Sequence, residues 1–95
     1  MGLKEDYQAK LEAQLKEWSG KLNDLKAKAD KTTAEAKVKM YQEIDDLKPK
    51  IEAAQQKLGE IKAASAEKWE SLKAASDKTM TELQSRWEGI KKKFF

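Results

Sequence analysis

The residues best suited to chemistry in this 95-residue chain are three closely spaced acids, Glu43, Asp45 and Asp46. Paired carboxylates act as general acid and base when burial moves their pKa values apart. Consecutive acids on a helix point in different directions, however, and no apolar residues are expected to enclose these three. We therefore predict that this acid cluster lies on a solvated helix face and is not catalytic.

The composition argues against the common catalytic and metal-binding chemistries. The chain has no histidine and no cysteine, so it lacks the usual general base near neutral pH, a thiol nucleophile and the commonest zinc ligands. Its serines have no histidine to activate them, and no glycine-rich phosphate loop occurs. We expect no enzyme activity, no catalytic, cofactor-binding or metal-binding residue, and no cofactor.

Apolar residues recur along the whole chain at steps of three or four, which is the spacing of one helix face. The stripe is narrow, like the a/d positions of a coiled coil, and 39 % of the residues are charged. We predict an all-α fold in which long amphipathic helices form a coiled coil. The residues expected to mediate self-association, here called the seam, are Leu11, Leu15, Trp18, Leu22, Leu25, Met40, Ile44, Leu47, Ile51, Leu58, Ile61, Trp69, Leu72, Met80, Leu83, Trp87 and Ile90.

The helical pattern has two candidate breaks, near residues 30–33 and 48–49. Thr32 and Glu35 have the spacing of a capping box at the first. Pro49 lacks a backbone donor and disfavours helix at the residue before it. Because the apolar spacing continues through both places, we favour long helices that at most kink at Pro49.

An isolated helix would leave the seam in water, so the seam needs a partner. Kinked helices can self-associate as a homo-oligomer, or one chain can fold back as an antiparallel hairpin that turns near 30–33 or 48–49. A three-helix bundle with turns near Thr32 and Ser65 is the third arrangement, but bundles normally have a wider apolar stripe on each helix. The narrow stripe favours the first two arrangements, within a single domain over residues 1–95.

Residues 58–90 divide into three windows of 11 residues. The sequence IKAAS at 61–65 in the first window is matched by LKAAS at 72–76 in the second. A repeat of 11 has about 3.67 residues per turn, which keeps an apolar stripe aligned on a nearly straight helix.

Three parts of the sequence are YQAKLEAQLKEW at 7–18, KAKAD at 26–30 with AEAK at 34–37 and Tyr41, and AEKWESLK at 66–73. These segments resemble a family of small bacterial coiled-coil proteins linked to stress response. This resemblance implies a stress-related role and no catalytic residues. The 11-residue windows are also similar to late-embryogenesis-abundant and apolipoprotein repeats, which implies desiccation protection or binding to lipid surfaces.

A basic and aromatic tail, residues 91–95, suggests a second function. The net charge is +3, and the three lysines of the tail account for all of it. Tryptophan on an amphipathic helix flanked by lysines favours a bilayer interface. The alternative function is therefore a peripheral protein that binds lipid or membrane surfaces through residues 58–95. Its predicted membrane contacts are Trp87, Lys91, Lys92, Lys93, Phe94 and Phe95.

These observations predict a non-enzymatic structural or interaction protein whose main partner is a second copy of itself. An anionic membrane or lipid surface is the alternative partner. Nucleic acid is not expected, since Arg86 is the only arginine and acids alternate with the lysines. The absence of cysteine, of a signal peptide and of a transmembrane segment predicts a cytoplasmic location, at most peripheral to a membrane.

Overall fold

The computed structural model describes residues 2–95, and Met1, the first residue of the predicted domain, lies outside this range. Three helices fill most of it: α1 (Leu3–Asp30), α2 (Ala34–Ala63) and α3 (Trp69–Phe94). Helix α2 packs against both other helices in an up-down-up bundle 50 Å long and 19 by 18 Å across. Residues 2–95 contain no strand, and the predicted all-α fold is confirmed.

Two turns, residues 31–33 and 64–68, separate the helices. The first coincides with the candidate break near 30–33, although Thr33 and not Thr32 caps α2: its hydroxyl accepts a hydrogen bond from the Ala36 amide at 3.4 Å. The chain therefore forms a three-helix bundle, and not the single kinked helix or the two-helix hairpin that the narrow stripe favoured.

Large aromatic side chains explain why a narrow stripe is enough for a bundle. Helices α1 and α3 approach each other less closely than either approaches α2. Trp18 meets Trp87 across this gap, with ring centroids 6.0 Å apart, and Tyr7 meets Trp69 at 6.2 Å. Because aromatic residues bury large areas at such distances, they close the third side of the core without a wide aliphatic face.

Helix α2 continues through Pro49, so the candidate break at 48–49 is not a turn. Proline cannot donate to the carbonyl four residues earlier, that of Asp45. Both Pro49 and Asp45 are exposed, so water can reach this region, while Leu47 and Ile51 on the opposite face are buried. The core contacts on either side of the proline hold the helix together.

The 11-residue windows do not share one helix. The first window, 58–68, includes the end of α2 and the second turn, whereas the windows 69–79 and 80–90 lie on α3. Equivalent serines consequently have opposite environments: Ser65 is exposed in the turn and Ser76 is fully buried on α3.

Replacing Pro49 by alanine is expected to raise the free energy of unfolding by up to about 3 kcal/mol, the usual difference between these residues in a helix interior. Urea unfolding followed by circular dichroism measures the change. The exposed neighbour Lys48 is the control, since Lys48→Ala should change stability by less than about 0.5 kcal/mol. A Pro49→Ala protein no more stable than the control would contradict this account of α2.

Candidate functional site

The seam forms the core of a single chain. Thirteen of its seventeen residues are buried, and the other four, Leu22, Leu58, Leu72 and Met80, are half-buried. The core has two clusters, one toward each end of the bundle. The first contains Trp18, Leu25, Ala29, Met40, Ile44, Leu47, Ile51, Leu83, Trp87 and Ile90. The second contains Tyr7, Leu11, Leu15, Ala54, Ile61 and Trp69.

The acid cluster of α2 is paired with the only arginine. One Arg86 nitrogen, Nη2, lies 2.8 Å from Asp46 Oδ2, and Nε lies 3.7 Å from Glu43 Oε2, while Asp45 is exposed. These contacts join α2 to α3 on the surface, where an ion pair typically contributes about 0–1 kcal/mol. Within residues 2–95, no group of three or more acidic residues is placed to hold a metal ion.

Tyr7 makes the most buried polar contact between α1 and α3. Its hydroxyl donates to Asp77 Oδ1 at 2.8 Å, while its ring packs on Trp69. Burial, followed by the Asp77 carboxylate, raises the pKa of Tyr7 well above its ordinary value. This hydrogen bond links α1 to α3 and constrains their relative position along the bundle axis.

The two turns are held by different contacts. At the first, the Tyr41 hydroxyl donates to Asp30 Oδ1 at 2.6 Å, and Lys37 Nζ lies 3.9 Å from the same oxygen. At the second, Lys4 Nζ donates to the backbone carbonyls of Lys62 and Ala64 at 3.2 and 2.7 Å. A cation at these carbonyls satisfies acceptors that the end of α2 leaves free.

The tail is partly docked on the bundle. Phe94 is half-buried against the first cluster, whereas Phe95 lies on the surface with its ring 5.7 Å from that of Trp87. Trp87 itself is buried, so of the predicted membrane contacts it is the one that the closed bundle covers. The three lysines of the tail are exposed.

The fold brings together residues that are far apart in sequence at the end where the tail lies. Lys28 of α1 places its ammonium 4.3 Å from the Phe95 ring centroid, and Lys39 of α2 lines a recess together with Lys93 and Phe94. In the sequence, only the tail stands out as a basic and aromatic segment. Only the up-down-up arrangement makes lysines of α1 and α2 its neighbours.

Over residues 2–95, no helix combines the length and the apolar character that a bilayer span requires. Residues 58–95 do not form one surface helix, because the second turn divides them and the apolar side of α3 faces the core.

No protein-family model matches the chain, and neither does any curated protein or solved structure compared with it. The resemblance to bacterial coiled-coil stress proteins stays a prediction.

Alkaline pH should destabilise the bundle through Tyr7. In the unfolded chain this phenol ionises near pH 10, but in the folded chain its pKa is higher, so the stabilisation is present below about pH 10 and is lost as pH rises further. Urea midpoints measured from neutral pH upward should fall less steeply above about pH 10 for Tyr7→Phe than for the unaltered protein. Parallel curves would contradict the buried hydrogen bond, because lysine titration is common to both proteins.

Proposed function

We propose that this protein is a non-enzymatic structural and interaction protein that associates with a second copy of itself by exchanging helix α3. In the monomer, α3 packs against α1 and α2 of its own chain. In the exchanged dimer, α3 packs in the same way against α1 and α2 of the other chain. The seam then joins two chains through the contacts that it makes within one. Exchange of an identical element is a low-cost route to a dimer, since no new interface has to be built.

The observation that carries this proposal is that the seam residues Ile61 and Trp69, on either side of the second turn, keep the spacing of one helix face. Ile61, Ser65 and Trp69 follow each other at steps of four, although Ser65 lies in the turn. If residues 64–68 became helical, Ile61 and Trp69 would lie on the same face. Residues 34–94 would then form one long helix that presents the seam to a second chain.

The second turn is better suited to straightening than the first. Its sequence, ASAEK at 64–68, contains neither glycine nor proline, and α3 begins without a side-chain cap. The first turn contains Thr32 and Thr33, of which Thr33 caps α2, and the Asp30–Tyr41 hydrogen bond spans it. We therefore place the exchange at residues 64–68.

Burial energies favour exchange over simple opening. Helix α3 buries Trp69, Leu83, Trp87 and Ile90, and each large apolar side chain is worth about 1.5–3 kcal/mol. Releasing α3 into water would cost several times that amount, which a chain of this size can hardly supply. A second copy restores the same contacts, so protein concentration decides between the closed monomer and the exchanged dimer.

The resemblance of residues 7–18, 26–41 and 66–73 supports a stress-related role within this proposal. A cytoplasmic location belongs to the same proposal, and the lack of cysteine agrees with it.

The substitution Ala66→Pro tests the exchange. Ala66 is the second residue of a turn closed by the Lys68 amide on the Ser65 carbonyl at 3.2 Å, a position that proline favours. Within a continuous helix, proline at this site costs about 3 kcal/mol. In sedimentation at increasing concentration, the unaltered protein should form a dimer, and Ala66→Pro should remain a monomer of the same helicity.

The matched control is Ala66→Ser, which has no such preference for the turn and should dimerise like the unaltered protein. A dimer of Ala66→Pro with unaltered affinity would show that association does not use a straightened turn. A chain that stays monomeric at every concentration would overturn the proposal as a whole.

A further inference from the structure

The positive charge of the protein is concentrated at one end of the bundle, here called the basic end. It consists of residues 26–43, which include the first turn, and residues 88–95 at the end of α3. Together these segments contain eight lysines and four acidic residues, a net charge of +4 in a chain whose total is +3. The rest of the molecule is therefore close to neutral, with a net charge of −1.

All three helices contribute to the basic end. The Lys28 ammonium lies 4.3 Å from the Phe95 ring centroid, which joins α1 to α3. Lys39 and Lys93 line one recess, which joins α2 to α3. Lys28, Lys39 and Lys93 each lie close to a helix terminus at this end, within about 8 Å along the axis at about 1.5 Å per residue. The Debye length at physiological salt is also about 8 Å, so a flat charged surface at this end attracts all three lysines.

The acids of the basic end pair with only one of its lysines, Lys37. Asp30 accepts a hydrogen bond from Tyr41 and lies near Lys37, while Glu43 faces Arg86. The helix dipoles, two carboxyl ends and one amino end, add only about half a negative charge. Among residues 2–95, seven lysine ammonium groups of the basic end have no carboxylate within 4.0 Å, those of Lys26, Lys28, Lys31, Lys39, Lys91, Lys92 and Lys93.

Exposed apolar side chains lie among these lysines. Of the three large apolar residues that are strongly exposed within residues 2–95, Val38 (59 %) and Phe95 (57 %) belong to the basic end, and Leu3 (75 %) is at the opposite end. Val38 lies between two lysines in sequence and one turn before Gln42, which lines the recess beside Phe94. The basic end thus offers both cationic and apolar contacts.

We propose that the basic end is a docking surface for an anionic lipid bilayer. Lysines are attracted by the negative surface potential of acidic headgroups. Exposed apolar side chains are stabilised when they insert at the boundary between headgroups and acyl chains. Nucleic acid would interact favourably with the lysines but not with the exposed apolar side chains. The only arginine, moreover, is paired with Asp46. The side chains that would contact lipid, the lysines with Val38 and Phe95, are not seam residues, so the bundle docks by its end and remains closed.

Co-flotation with vesicles tests the charged part of the surface. The protein should bind vesicles of phosphatidylcholine mixed with phosphatidylserine and not vesicles of phosphatidylcholine alone. Replacing Lys91, Lys92 and Lys93 by glutamine should lower the partition coefficient by about two orders of magnitude, since each lysine near an anionic surface contributes roughly a factor of five. The matched control replaces three exposed lysines of the bundle sides, Lys16, Lys48 and Lys78, by glutamine.

Both triple variants lower the net charge equally, so equal losses would show that only total charge matters and would overturn a localised surface. Binding by the unaltered protein that does not depend on phosphatidylserine would overturn it as well.

Serine substitutions test the apolar part and the choice of lipid. Val38→Ser together with Phe95→Ser should weaken binding to the mixed vesicles, whereas Leu3→Ser at the opposite end should not. Neither change should alter the weak binding of a duplex DNA probe at the same salt concentration. DNA binding as tight as vesicle binding, or a Leu3→Ser loss equal to that of the double variant, would overturn the proposal.

The closed state of the docked bundle has its own test. Ala66→Pro, which restricts straightening of the second turn, should bind mixed vesicles as the unaltered protein does. Loss of vesicle binding in this variant, with helicity retained, would mean that the chain opens on lipid and would overturn docking by the basic end.

Discussion

The bundle depends on aromatic contacts that close the gap between α1 and α3. Helix α2 can bury one narrow stripe against two neighbours, but those neighbours must also exclude water from each other. Tyr7 and Trp69 do so near one end of the bundle, and Trp18 and Trp87 do so nearer its middle, at centroid distances of 6.2 and 6.0 Å. Such pairs contribute about 0.5–1.5 kcal/mol beyond the area they bury. These contacts make the three-helix arrangement possible. They also place the carboxyl ends of α1 and α3 at the same end of the bundle.

Periodicity identified which residues are buried, because a helix hides one face whatever covers it. Every seam residue is buried or half-buried in the bundle. Periodicity does not say what covers that face. The observed three-helix bundle therefore differs from the self-associating helices and the hairpin that the narrow stripe favoured. The apolar spacing persists through residues 31–33 and 64–68 although both are turns, whereas Pro49, the strongest breaker, lies inside α2.

Charge patterning along the sequence missed contacts that only folding creates. The side chains of Glu12 and Lys62 meet between α1 and α2 at 2.6 Å, and Lys50 and Glu82 meet between α2 and α3 at 3.4 Å. Likewise, the lysine tail was visible in the sequence, but Lys28 and Lys39 become its neighbours only in the bundle. Long-range proximity of this kind has no signal in local spacing.

The position of Pro49 has a consequence for how the bundle fluctuates. On α2, Ile51 belongs to one core cluster and Ala54 to the other, so the proline lies close to the boundary between them. Because α2 lacks one backbone hydrogen bond near this boundary, local unfolding on one side of Pro49 is expected to spread less readily to the other side. The two halves of the molecule are therefore expected to behave as separate cooperative units in hydrogen exchange. One unit contains the basic end, and the other contains the turn at residues 64–68, so one end can fray while the other keeps its packing.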